Sequence, residues 1–467
     1  MRALGGDPRK HALAICLVAA FMSGLDVSIV NVAVPSIREA LDASEDGLQW
    51  TVSGYALAFG LLLVPAGRLG DARSRRTIFM TGVALFTASS AACGLAWNMN
   101  VLIAARFVQG LAAGTLNPQV SGLIQQMFRG AERGRAFGAL GATIGVSTAA
   151  GPLIGGLLVG LAGAEHGWRW VFLVNVPIGI VLLPLAWRAL PARPGTGRRE
   201  SMDPVGVLLL GMGVVGLLLP FIQRHQWEGN TKWLLIPASL VVLAGFVLWE
   251  RRYPREPLVD LSLFGRRSYR LGTAIAMFYF SGFTGIFFIF TLYLQVGLHY
   301  SALLAGLAIT PFALGSASAS VVGGRLVSRA GRRVVAVGLT MVIAGLCATM
   351  LATGVLVPGR AVGLATVLPL LLAGMGSGLV ISPNQAITLS EVPPEGGGSA
   401  AGVLQTGQRL GSAIGIAVAG STFFGALGQG WATAFRHGLT AVLVSVVIAL
   451  AAAAYDLVRT RGEARRP

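Results

Sequence analysis

Apolar runs long enough to cross a bilayer recur along the chain, separated by short polar segments. Counting about 20 apolar residues to a crossing, spans are expected near 12–34, 48–66, 76–96, 101–124, 135–161 and 169–190. A polar stretch from Pro191 to Asp203 leads to two more near 204–222 and 232–249, and a basic loop from Glu250 to Ser268 closes that pair. Six others follow near 269–293, 301–322, 335–355, 362–387, 399–426 and 438–458. The pattern predicts an all-α integral membrane protein with fourteen transmembrane helices. Its parts are an N-terminal six-helix bundle over residues 1–192, a linker with two extra helices over 193–268, and a C-terminal six-helix bundle with a tail over 269–467.

Composition agrees with the pattern. Only 12% of the 467 residues are charged and 54% are hydrophobic, where a soluble chain carries about 25% charged residues. The formal charge of +17 raises nucleic acid as a partner until the basic residues are placed. With both termini inside, 28 of the 36 fall in inside segments and 6 in outside loops, the positive-inside bias of a plasma-membrane protein with cytoplasmic termini. The charge is therefore topological, and the expected surroundings are lipid rather than nucleic acid. Met1 to Lys10 has the look of a secretory leader, but the apolar run continues past Asp26, so the stretch reads as a first span that is kept.

Cys16, Cys93 and Cys347 lie far apart inside apolar runs, which suggests neither a disulfide framework nor a thiolate metal site. The five histidines are scattered, no phosphate-binding loop appears and no paired loop carboxylates are evident. These observations argue against a membrane-embedded enzyme, and no cofactor is expected.

One loop repeats. Gly67-Arg68-Leu69 with Arg75-Arg76 recurs as Gly324-Arg325-Leu326 with Arg332-Arg333, offset by 257 residues, each copy after the second span of a six-span group. Related halves with a corresponding loop are expected of a transporter whose substrate binds between two bundles near the midplane; a channel has less need of them. Asp26 stands out against this background. A carboxylate at bilayer depth costs roughly 3 kcal/mol on insertion scales, so a chain that keeps one usually employs it; the alternative is a buried acid satisfied by a neighbouring helix. It is the clearly deep carboxylate among the 19 acids.

At the repeated loop the sequence resembles the major facilitator superfamily, through Gly67, Leu69, Asp71, Arg75 and Arg76. Ala72 and Ser74 depart from that signature, and Ser328 stands at the aspartate's place in the second copy. Three more stretches are similar to the fourteen-span drug:proton antiporters of that superfamily. Leu25 to Pro35 (LDVSIVNVAVP) is similar to the first-span motif, and Arg106-Phe107-Val108-Gln109-Gly110 to the fourth-span motif, whose arginine is associated with proton coupling. Gly145 with Gly151, Pro152, Gly155 and Gly156 resembles the fifth-span motif associated with antiport; small residues four apart also let helices approach closely. WTVSGYAL from Trp50 and GWRWVFLVNVPIG from Gly167 add support.

The resemblance implies a major-facilitator fold that exports lipophilic drug- or antibiotic-like molecules in exchange for protons, functional as a monomer. A dedicated metabolite exporter and a proton-coupled importer are its rivals. Asp26 and Arg106 are expected at similar depth as the proton-coupling pair, sharing a network with Asn31, Tyr55 and Gln109. A nearby cation favours the ionised acid and desolvation the neutral one, so movement of either group changes proton affinity. Asp71, among the arginines of its loop, is expected to hold one face closed. Asn117, Phe283, Phe287, Gln385 and Arg409 are candidates to line a substrate cavity, with Asn31, Tyr55 and Gln109.

Overall fold

The computed structural model describes residues 7–192, 203–222, 227, 229, 231–253, 257–355 and 361–463, and every regular element among them is helical. Residues 193–202, which open the expected linker, and 464–467 of the expected tail lie outside the described residues. Twelve helical stretches among the described residues are long and apolar enough to cross a membrane. α1 (Pro8–Ala40), α2 (Glu45–Ala72), α3 (Arg75–Gly94) and α4 (Met99–Met127) come first. α5 (Gly130–Leu173) breaks at Gly163, whose φ of 77° is open to glycine, and its second part continues into α6 (Asn175–Ala189). The two crossings expected here are thus divided at one residue.

α7 (Pro204–Ile222) and α8 (Leu235–Arg252) follow, then α9 (Arg267–Leu292), α10 (Ala302–Ala330), α11 (Arg332–Val355), the short α12 (Ala361–Ala365) and α13 (Val367–Thr388). α14 (Gly397–Gly425) and α15 (Trp431–Glu463) end the chain. α7 and α14 occupy the two expected crossings that the twelve apolar stretches do not include. Each of the fourteen expected spans therefore coincides with helix.

Local chemistry sets the ends. Asp7 accepts the Arg9 amide at 3.0 Å with Pro8 opening α1, and Ser44 accepts the Gly47 amide at 3.2 Å to start α2. Asn98 does the same for Val101 at 2.9 Å and starts α4. These caps satisfy amides that have no partner inside their helix. Prolines within α1, α2, α4, α5 and α10 are of the kind that membrane helices tolerate when neighbours restore the lost bonds.

The chain forms two compact units: residues 1–129, 154–261 and 392–406 make one, and residues 130–153, 262–391 and 407–467 the other. In the first, α4 packs against α1, α2 and α3, α6 against α1 and α3, and α7 against α2 and α8. In the second, α13 packs against α9, α10 and α11, and α15 against α9 and α11. A core of Ile275, Tyr279, Phe312, Leu339, Phe435 and their neighbours fills that unit.

Candidate functional site

In the first unit, α1, α2, α4 and α6 bring polar groups to one point in an otherwise apolar interior. Asp26, fully buried, receives Arg106 Nη1 on Oδ2 at 2.7 Å; Arg106 is itself only 2% exposed. Oδ1 of Asp26 accepts from Gln109 Nε2 at 2.9 Å and from Asn175 Nδ2 at 3.2 Å. Arg106 also donates through Nε to the Thr51 carbonyl at 3.1 Å and through Nη1 to Gln109 Oε1 at 2.7 Å. Gln109 Nε2 reaches Ser90 Oγ at 2.6 Å, extending the network to α3. The guanidinium lies over the Tyr55 ring, 4.1 Å from its centroid, with Phe172 at 5.7 Å on another side.

This spacing is helical. Arg106 and Gln109 stand three apart and so share a face of α4, while the α1 segment around Asp26 supplies the acid. The carboxylate thus accepts three N–H donors, two from amides and one from a cation. A buried charge survives only with such pairing. A proton on Asp26 would remove its charge and convert one acceptor oxygen into a donor, altering bonds to α4 and α6 together.

Of the network expected from sequence, Tyr55 and Gln109 are present. Asn31 is not: it is exposed and donates to the Val27 carbonyl at 3.4 Å within its own helix. Asn117 donates to Ser23 Oγ at 3.3 Å and to the Ala113 carbonyl at 3.0 Å, rather than to a member of this network. Asn175, Ser90 and the Thr51 carbonyl were not anticipated. Asn175 lies within GWRWVFLVNVPIG, where an amide in an apolar run was the available signal.

A second cluster sits at the end of α2. Asp71 accepts Arg75 Nε at 2.9 Å and Nη2 at 2.5 Å. It also accepts the Gly398 amide at 3.0 Å, the Ser399 amide at 2.8 Å and Ser399 Oγ at 2.7 Å. Its carboxylate therefore caps the first turn of α14, where amides and the helix dipole favour negative charge. Arg75 further donates to the Gly122 carbonyl at 3.1 Å, the Glu395 carbonyl at 3.1 Å, and the Pro394 carbonyl. Gly67 belongs here for steric reasons: a Cβ on it would meet the Gly398 carbonyl oxygen at 2.4 Å. Arg76 instead lies over the Trp187 ring, 4.3 Å from its centroid, and Leu69 lends its carbonyl to the Arg73 amide that closes α2.

The remaining candidates divide between the units. Gly145, Gly151 and Pro152 fall in the second; Gly145 faces Ala317 of α10, and Pro152 faces Gly306. Gly155 lies in the first, against Ile29 of α1, and Gly156 faces open space. Phe283 and Phe287 contact each other edge-on at 5.1 Å and both meet Phe312. Gln385 is buried and Arg409 half-buried in the second unit.

Asp26 is not the only buried acid among the described residues. Asp71, Asp203, Glu250 and Asp456 are buried too. Each lies close to an expected span end, and neighbouring helices cover those ends. Asp456 accepts Arg332 Nε on Oδ2 at 2.9 Å and Arg267 Nε on Oδ1 at 2.8 Å. Arg332 is the second-copy counterpart of Arg75, so this acid takes the part that Ser328 does not.

A family model described as Major Facilitator Superfamily matches residues 16–416. The chain is 38% identical over 436 residues to the probable actinorhodin transporter of Streptomyces coelicolor, a match covering 90% of this chain and 73% of that one. It is 33% identical over 479 residues to puromycin resistance protein pur8 of Streptomyces alboniger, covering 98% and 93% respectively. Among solved structures, the proton:xylose symporter XylE bound to 6-bromo-6-deoxy-D-glucose matches with a TM-score of 0.68 at 16% identity, over 96% of this chain and 94% of the other, a likeness of fold.

Proposed function

Because the chain belongs to the major facilitator superfamily, and so is a multi-pass membrane transporter, we propose that it exports lipophilic, antibiotic-like molecules in exchange for protons by alternating access. The observation that carries this reading is the fully buried Asp26 bonded to Arg106, Gln109 and Asn175. Facing outside, Asp26 takes a proton and releases its hold on Arg106; facing inside, the proton leaves and cargo binds. Three helices meet at the carboxylate, so its protonation changes the bonds of α1 to α4 and α6 together.

Asp71 is the gate in this scheme. Its bonds to Gly398 and Ser399 fasten the end of α2 to the start of α14, and breaking them frees that face. We assign this face to the cytoplasm, with both termini, on the strength of the basic loops. The two six-helix bundles, the pair of extra helices between them and action as a monomer complete the proposal. Relatives named for actinorhodin transport and puromycin resistance make those two compounds the first cargo to try.

Inside-out vesicles containing the protein are loaded with a pH-sensitive dye and given each compound. Proton movement opposite to cargo is expected, and co-directional flow sinks antiport. In Asp26→Asn, at equal abundance in the membrane, proton-driven cargo uptake falls to the level of vesicles lacking the protein. Unchanged coupling in that variant removes Asp26 as the carrier.

A further inference from the structure

We propose that Asp203 and Glu250, at the base of the α7–α8 hairpin, form a second proton-binding site in which two carboxyl groups hold one proton between them. Both are buried, Asp203 at 1% exposure and Glu250 at 4%, although one opens α7 and the other nearly ends α8. Gly206 gives the room: a Cβ there would lie 2.4 Å from Asp203 Oδ2 and 2.7 Å from Glu250 Oε1. Both oxygens thus crowd one point beside α7, and any side chain at 206 would part them.

The two acids differ in their partners. Asp203 Oδ2 accepts the Trp249 indole N–H at 2.7 Å, and Oδ1 accepts the Val205 amide at 3.2 Å. Each of its oxygens thus has a donor. Glu250 accepts backbone amides at one end, Val259 on Oε2 at 3.4 Å with Leu258 beside it, while Oε1 is buried with no hydrogen-bond partner. An oxygen without a donor, crowding the same point beside Gly206 as a neighbouring carboxyl oxygen, suits the O–H of a neutral acid. Two like charges this close and this dry do not both ionise readily. The unpartnered Oε1 of Glu250 is therefore where the shared proton is placed.

The site lies on α7 and α8, apart from the helices that hold Asp26. Among the described residues, Arg68 of α2 is a cation that acts on Glu250; it follows Gly67 and stands three before Asp71.

Infrared difference spectroscopy of the purified full-length protein in deuterated buffer reads this directly, without transport. At neutral pH a protonated carboxyl band is expected that Asp26→Asn retains and Glu250→Gln lacks. In Asp203→Asn, which removes the neighbouring charge and keeps Glu250, the titration midpoint of that band falls by at least about one pH unit. A band unchanged in Glu250→Gln, or a midpoint unmoved in Asp203→Asn, overturns the proposal. So does loss of the band on adding sodium at fixed pH, which would put a metal ion between the acids. If Glu250→Gln fails to fold, the Asp203→Asn midpoint decides alone.

Discussion

At the scale of single residues, Asp26 and Arg106 are a buried ion pair whose members depend on each other more than their attraction implies. Removing one partner leaves a desolvated charge, which costs about 3–5 kcal/mol, whereas removing both can be nearly neutral. Arg106→Met is therefore expected to lower the melting temperature in detergent sharply, and Asp26→Asn added to Arg106→Met to restore about 2 kcal/mol of that loss. Additive single effects in this cycle would mean that the two groups stabilise the helices separately. Asp26 was legible in the sequence because an isolated carboxylate in an apolar run has no ordinary explanation. Asn175 and Ser90 were not, since neutral polar residues cost less at depth and are common in spans, so nothing marks the ones that meet a charge. The acids at span ends do not stand out in the sequence, because a charge near the end of an apolar run can reach the interface. α8 runs on to Arg252, and packing buries Glu250 within that extension, while Asp456 lies just inside the end of the expected last span and is buried there.

At the scale of helices, close approach in the second unit depends on glycine at matched places. α5 meets α10 along Gly134, Gly138, Gly141 and Gly145, spaced alternately by four and three as one face of a helix requires. A Cβ on Gly134 would meet the Gly324 carbonyl oxygen at 2.6 Å, and one on Gly324 would meet the Gly134 carbonyl oxygen at 2.5 Å. Neither backbone can yield without separating the helices. Gly324→Ala is expected to destabilise by about 1–3 kcal/mol. Gly156→Ala, with nothing within 4 Å of its new methyl, is expected to change stability by no more than about 0.5 kcal/mol. Thermal melting of the two variants side by side checks this, and equal melting temperatures would show that the seam adjusts freely. The sequence marked Gly145 through its motif but not Gly134 or Gly138, because 64 glycines offer many four-residue spacings and only the partner helix tells which are used. Helix existence and order, by contrast, follow from apolar length alone, which is why all fourteen spans could be placed.

At the scale of the whole molecule, the 257-residue repeat keeps an arginine and changes its acid. Arg75 pairs with Asp71, one turn back on the preceding helix, whereas Arg332 has Ser328 there and pairs with Asp456 of α15. Arg332 also donates to Asn384 Oδ1 at 2.5 Å and to the Ser268 carbonyl at 3.2 Å, so it ties together α9, α11, α13 and α15. Moving the acid to another helix changes what the loop can do. An acid on the same loop leaves its remaining oxygen free to cap a separate helix, as Asp71 does for α14; Asp456 spends both oxygens on Arg332 and Arg267. The first copy is thus suited to making and breaking a contact, and the second to holding its own helices together. Asp456→Ala should accordingly cost about 3–5 kcal/mol, since Arg332 is left buried and unpaired. Adding Ser328→Asp returns an acid to the first copy's position, and part of the lost melting temperature should come back with it. If the double variant melts no higher than Asp456→Ala, the acid must come from α15 itself, and the two loops are not interchangeable in their electrostatics.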